Sequence, residues 1–200
     1  MNARIAELDE IVRRFDLNEH PFYRDWRAGT LPIEQLAEYA REWAPFIGVV
    51  HRGWERIGEP EYAAEEREHD ALWQTFRSSL GDGAAGEMQR PQSKTLLAVG
   101  EQAFALLPET LGALYSFEVQ QPATATSKLA GLQEHYAGTV DADGQRYFVE
   151  HAVETDEPAI LASRIAALSD REFARAKTAC AVFSVAAWGA LDGVYYSDGS

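Results

Sequence analysis

The sequence contains a single cysteine, Cys180, among 200 residues. That excludes an internal disulfide framework and any cysteine-rich zinc or iron–sulfur site, and it suits a reducing cytoplasm. No run of eighteen residues is apolar without a charge, and the opening MNARIAELDEIVRRF lacks the apolar centre of a secretory leader. The expectation is a cytoplasmic protein with no membrane span and no membrane partner. Basic residues are scarce as well: 18 Lys and Arg stand against 32 Asp and Glu, for a formal net charge of −14. Such a chain is a poor partner for nucleic acid or anionic lipid. Strand signals, repeats and low-complexity tracts are all missing.

What is present is helical period. Leu36, Tyr39, Ala40, Trp43, Phe46, Ile47 and Val50 share one stripe of a long helix that begins after GTLP. A second helix is predicted from about Pro60 to Leu80, with His69, Leu72, Trp73 and Phe76 on one side. Further helices are predicted near 92–106, 109–121, 123–137, 143–155 and 159–167, punctuated by Pro108, Pro122, Gly138, the DADG turn and Pro158. A last helix opens with Ser169 as N-cap and Glu172 three residues on. The sequence thus predicts one all-α domain over residues 1–200, a bundle of about seven to nine helices whose ligand sites are built from side chains projecting into the core.

Glu118 interrupts this pattern, because it shares the apolar stripe of Leu111, Leu114 and Tyr115. A lone buried carboxylate costs several kcal/mol (order of magnitude) unless it is paired, neutralised or bound to metal. GDGAAG at 81–86 matches a dinucleotide-binding pattern in letters only, since that motif works between a strand and a helix. Of the five histidines, His20 and His135 read as local turn or polar-end residues, and His51 as a satisfied core histidine. His69 follows Glu65 by four and Glu66 by three, a Glu-x-x-His arrangement used by metal sites in bundles, and His151 has Glu154 three residues on. Glu118, His69 and His151 lie on three separate helices, and imidazole with carboxylate is the ligand set for non-haem iron. A buried, hydrogen-bonded Glu–His–His cluster without metal would use the same residues. Tyr23, Trp26, Tyr39, Trp43, Tyr115 and Trp188 would line an apolar cavity or simply fill the core.

Several longer segments carry a resemblance. HPFYRDWRAGTLPIEQLAEYAREW, EHDALWQTF, ALYSFEVQQPATATSKLAGL, YFVEH and AAWGALDGVYY together span nearly the whole chain. They resemble the haem-oxygenase-like superfamily, in particular the branch of PqqC-like, TenA-like and CADD-like proteins and non-haem di-iron oxidases. Despite its name, that branch implies no haem. Its di-iron members place ligands as Glu-x6-His on one helix, a Glu in a YxxE context on another, and His-x3-Asp-x2-His on a third. Carried over by position, His69, Glu118 and His151 match, whereas Tyr62, Thr155 and Pro158 stand where the other ligands would be. The resemblance implies Fe2+ at His69, Glu118 and His151, one ion rather than two; the alternative is an altered dinuclear site in which Glu65 or Glu66 takes the place of the missing glutamate and Glu154 or Asp156 substitutes on the other helix. It implies a non-haem-iron oxidase or oxygenase acting on a small organic molecule, and a homodimer. The alternatives are a metal-free pocket protein, a cofactorless oxidase like the PQQ-synthesis member, and a TenA-like thiaminase, for which Cys180 is the only available thiol nucleophile.

Overall fold

Six of the helices carry proline at their first or second position, where its missing N–H is not needed and its fixed φ already suits a helix. In the computed structural model, which describes residues 2–153 and 156–196, α1 spans Ala3–Arg14, α2 Pro21–Ala28, α3 Ile33–Ile57, α4 Pro60–Ser79 and α5 Pro91–Ala103. They are followed by α6 at Leu107–Glu118, α7 at Gln121–His135, α8 at Ala142–His151, α9 at Glu157–Ala166 and α10 at Asp170–Tyr195. No strand occurs among the described residues. Because the prolines lie inside the helix starts, α5, α6, α7 and α9 begin one or two residues earlier than the punctuation in the sequence suggested. The helix expected over 143–155 stops at His151, and a separate helix starts at Glu157. Thr155 and Glu154 lie outside the described residues.

Two long helices organise the bundle. α3 lies along α4, and α10 lies along α6 and α5, while α4 packs on α8, α8 on α7, and α6 on α9. α10 begins with the expected capping box of Ser169 and Glu172. By length and a mean hydropathy of 1.3 it would suffice to cross a membrane, but its apolar residues Phe173, Phe183, Leu191 and Val194 are buried in the bundle. α6 is buried on nearly every side, as a helix at the centre of a bundle must be. Its Gly112 allows the backbones of α6 and α10 to touch: an added Cβ would lie 1.9 Å from the carbonyl oxygen of Ala176. Around α2, α3, α4 and α8 the core is aromatic, with Trp26, Tyr39, Trp73, Phe76 and Phe148 meeting edge to face, tilted or stacked at centroid separations of 4.9–6.2 Å.

Candidate metal centre and the adjoining cavity

Four helices deliver acidic and imidazole side chains to one buried point. On α4 the inward stripe runs Ala63, Glu66, His69, Trp73 and Phe76. Glu118 is the last residue of α6, His151 the last of α8, and Glu157 the first of α9. None of Glu66, His69, Glu118, His151 and Glu157 is more than 3% exposed. Glu66, His69 and His151 each offer a ligand atom within 4.8 Å of the others, and so do Glu66, Glu118 and Glu157, which makes Glu66 common to both groups. The two imidazole rings lie 4.1 Å apart, and His69 Nδ1 is 3.6 Å from Glu66 Oε2. His151 Nδ1 is 2.9 Å from the carbonyl oxygen of Tyr147. A carbonyl can only accept, so Nδ1 holds the proton and Nε2 keeps its lone pair, the arrangement that orients a metal-binding histidine.

These residues fit a divalent metal. Three carboxylates buried so close together repel one another unless positive charge is supplied, and imidazoles acting as ligands are neutral. Glu66 Oε1 makes no hydrogen bond among the described residues, although Glu66 is buried. The mixture of nitrogen and oxygen donors is that of non-haem iron sites. The negative charge is felt nearby: burial, and behind it the carboxylate of Glu66, holds the Tyr147 phenol well above its ordinary pKa.

All three residues that the sequence suggested, His69, Glu118 and His151, are buried, but His69 and His151 fall in one group and Glu118 in the other, the two groups sharing Glu66. Glu65 is not buried: it lies exposed on the outer side of α4, about 100° around the helix from Glu66, and Glu66 occupies the buried position instead. Tyr62 donates its hydroxyl to Asp156 Oδ2 at 2.7 Å. Pro158 is the second residue of α9. Glu157 escaped the sequence reading, although it adjoins the position where the resembling proteins carry a histidine. His20 caps α2, accepting from the Phe22 N–H at 3.0 Å through Nδ1, and His135 contacts the Arg27 carbonyl, both away from the cluster.

Tyr147 separates this centre from a small cavity. Its ring lies 4.2 Å from that of His151 on one side, and on the other it faces Tyr23, Tyr39, Trp43, Trp73 and Lys128. Of the aromatic residues weighed as cavity lining, Tyr23, Tyr39 and Trp43 do line it. Tyr115 instead donates to Asp9, and Trp188 packs on His20 near the surface. The cavity volume is about 10 Å³, roughly room for one water. The Tyr23 and Tyr39 hydroxyls hydrogen-bond at 2.9 Å. Lys128, on α7, is only 4% exposed, with Nζ 4.8 Å from the centre of the Tyr23 ring and 5.4 Å from that of Phe148. Burial brings its ammonium down to a pKa of about 7. Nothing in the sequence marked Lys128, because a lysine on a helix is by default a surface residue.

Structural neighbours cover almost all of the chain. A TenA homologue from Pseudomonas syringae pv. tomato superposes with a TM-score of 0.76 at 13% identity, covering 98% of this chain and 93% of its own. A domain with a heme oxygenase-like fold from Shewanella denitrificans gives 0.73 at 17% identity, covering 94% and 90%. The chain has the haem-oxygenase-like fold. Within that fold, sequence relatives include proteins named 4-aminobenzoate synthase. One from Nitrosomonas europaea is 29% identical over 75% of this chain and 72% of the relative, and one from Chlamydia muridarum is 27% identical over 74% and 70%. No family model matches the chain. In this haem-oxygenase-like bundle Cys180 is fully buried on α10, and burial pushes its thiol up to about 12, the reverse of what a thiolate nucleophile requires.

Proposed function

We propose that this protein is a non-haem-iron-dependent oxidase or oxygenase that produces or transforms a small aromatic amine of the 4-aminobenzoate class. The observation that carries the proposal is the continuity of the site: Glu66, His69, Glu118, His151 and Glu157 converge within one ring's width, Tyr147, of a small aromatic cavity lined by a buried lysine. The name of the Nitrosomonas and Chlamydia relatives supports the substrate class. Iron bound by these five residues would supply the one-electron and O2 chemistry that side chains lack.

The protein's own groups have definite tasks around it. Tyr147 fixes the His151 tautomer through its carbonyl and closes the cavity with its ring. Gln121, at the start of α7, approaches the Tyr147 hydroxyl at 3.4 Å and holds that ring in place. Lys128 presents an amine that is partly unprotonated at neutral pH, able to act as base or nucleophile. The surrounding aromatic residues exclude water and so keep reactive species from hydrolysis.

A second reading is favoured by the cavity volume. With room for about one water, the cavity admits no benzoate-sized molecule as it stands, and the ring in its wall that lies beneath the Lys128 amine is that of Tyr23. In that reading Tyr23 is itself the reacting ring and the chain is modified in the reaction. Both readings are tested by loading the protein anaerobically with Fe2+, admitting O2 and a reductant, and following released 4-aminobenzoate by chromatography and the chain by intact mass. Product with an unchanged chain mass supports the first, and product with a matching chain-mass loss supports the second. Equal product from chelator-treated protein would show a cofactorless enzyme, and no product with no metal uptake would remove the proposal.

A further inference from the structure

We propose that Tyr62 and Asp156 form a latch that sets Glu157 into the metal centre, so that a ligand missing from the helix of His151 is supplied by the first residue of α9. Neither Glu66 nor Glu157 stands where the resembling di-iron proteins place a ligand. Both are nonetheless buried, and with Glu118 they offer oxygen atoms within 4.8 Å of one another. Glu66 shares the other group with His69 and His151, so the five side chains form two overlapping sets of candidate ligands that have Glu66 in common. The second set is all oxygen, and α9 has to be held against α4 for it to exist.

α9 packs on α6 and α1 through buried Leu161 and Ile165, and two side-chain contacts tie it to α4. Tyr62 precedes Glu66 by one helical turn on α4, and its ring is stacked on buried Trp54 of α3, with centroids 4.8 Å apart and planes 24° from parallel. That stacking fixes where the hydroxyl can reach, and it reaches Asp156 Oδ2 at 2.7 Å. Asp156 is the N-cap residue of α9 and is joined directly to Glu157. Further along α9, Arg164 pairs with Glu59 at the start of α4. The tyrosine that replaces a family ligand at position 62 thus orients its substitute instead of binding metal. Tyr62 is a positioning residue, of the kind whose loss weakens metal affinity about tenfold or more.

The latch has meaning only if the cluster binds metal, so the test reads metal binding first. Full-length protein, Glu157→Gln, Tyr62→Phe and Asp156→Asn are titrated anaerobically with Fe2+, and bound iron is counted after desalting, with circular dichroism and metal-free melting as controls for folding. The expected result is two equivalents for the unaltered protein and one for Glu157→Gln. Tyr62→Phe and Asp156→Asn are expected to keep both helicity and metal-free melting temperature while the weaker equivalent loses about tenfold in affinity. Two equivalents at full affinity in Glu157→Gln would overturn the role of Glu157 and leave the metal centre standing. Unchanged affinity in Tyr62→Phe would overturn the latch alone. If the unaltered protein binds no iron, the metal centre fails, and the latch fails with it.

Discussion

Glu118 closes α6 with no exposed surface and with two further carboxylates, Glu66 and Glu157, close by. Without metal, that proximity is repulsive. Glu118→Gln keeps the shape and removes one charge, so the metal-free variant is expected to be more stable by about 1 kcal/mol or more, as judged by urea denaturation, while losing one of the two equivalents of iron. Equal iron uptake would show that Glu118 is not a ligand. Lys128 gives a second, pH-resolved prediction. Its folded pKa of about 7 lies below the 10.5 of an ordinary lysine because burial disfavours the charge. Between those values the unfolded chain holds a proton that the folded one has released, so this group's contribution to stability rises with pH from about 7 to about 10.5 and is least favourable below 7. Lys128→Met should therefore raise the melting temperature at pH 6 by several degrees, at about 2–4 °C per kcal/mol, with the gain shrinking towards pH 10. The Tyr23 and Phe148 ring faces return part of the ammonium's lost solvation, which makes the gain smaller than desolvation alone would give. A gain that does not depend on pH would place the effect in packing instead.

At the level of helices, Gly112 lets the backbone of α6 lie against that of α10. Gly112→Ala would force a methyl group into the Ala176 carbonyl, and since backbone cannot turn aside as a side chain can, the helices must separate. The expected cost is about 3 kcal/mol by chemical denaturation, with weakened iron binding because α6 carries Glu118. These elements were largely legible beforehand. Period 3.6 located the long helices through residues such as Trp43 and Phe46, and the same period placed His69, Glu118 and His151 facing inward. Glu66 was legible too, since 63, 66, 69, 73 and 76 form one stripe, but the four-residue spacing of Glu65 to His69 competed with it. Glu157 was hidden because its direction depends on where α9 starts, and a tertiary contact from Tyr62 helps to fix that start. Lys128 was hidden for another reason. Burial of a lysine is decided by the helices that cover it, here those bearing Tyr23, Tyr39 and Phe148, and not by its neighbours in sequence.

Over the whole molecule, the net charge of −14 raises the local concentration of cations around a centre that is itself anionic. A metal that binds only the folded chain stabilises it by about 2.7 kcal/mol at a hundredfold excess over its dissociation constant. For a chain of this length that is a rise of roughly 5–10 °C in melting temperature. Scanning calorimetry with anaerobic Fe2+ should show that rise, and a chelator should reverse it. His151→Ala should show a smaller rise, since only the all-oxygen position remains. A shift of the same size in His151→Ala would mean that the metal acts elsewhere on the acidic surface.

The placement of the tryptophans has an optical consequence. Trp26, Trp43, Trp54 and Trp73 are buried, whereas Trp188 is partly exposed on α10. Emission from the folded protein will therefore be blue, with one indole open to an aqueous quencher. Trp43 and Trp73 form part of the cavity wall, so opening of the cavity admits water to two fluorophores while the helices stay formed. A red shift at constant ellipticity would then report the entry of a ligand separately from unfolding, with no label added.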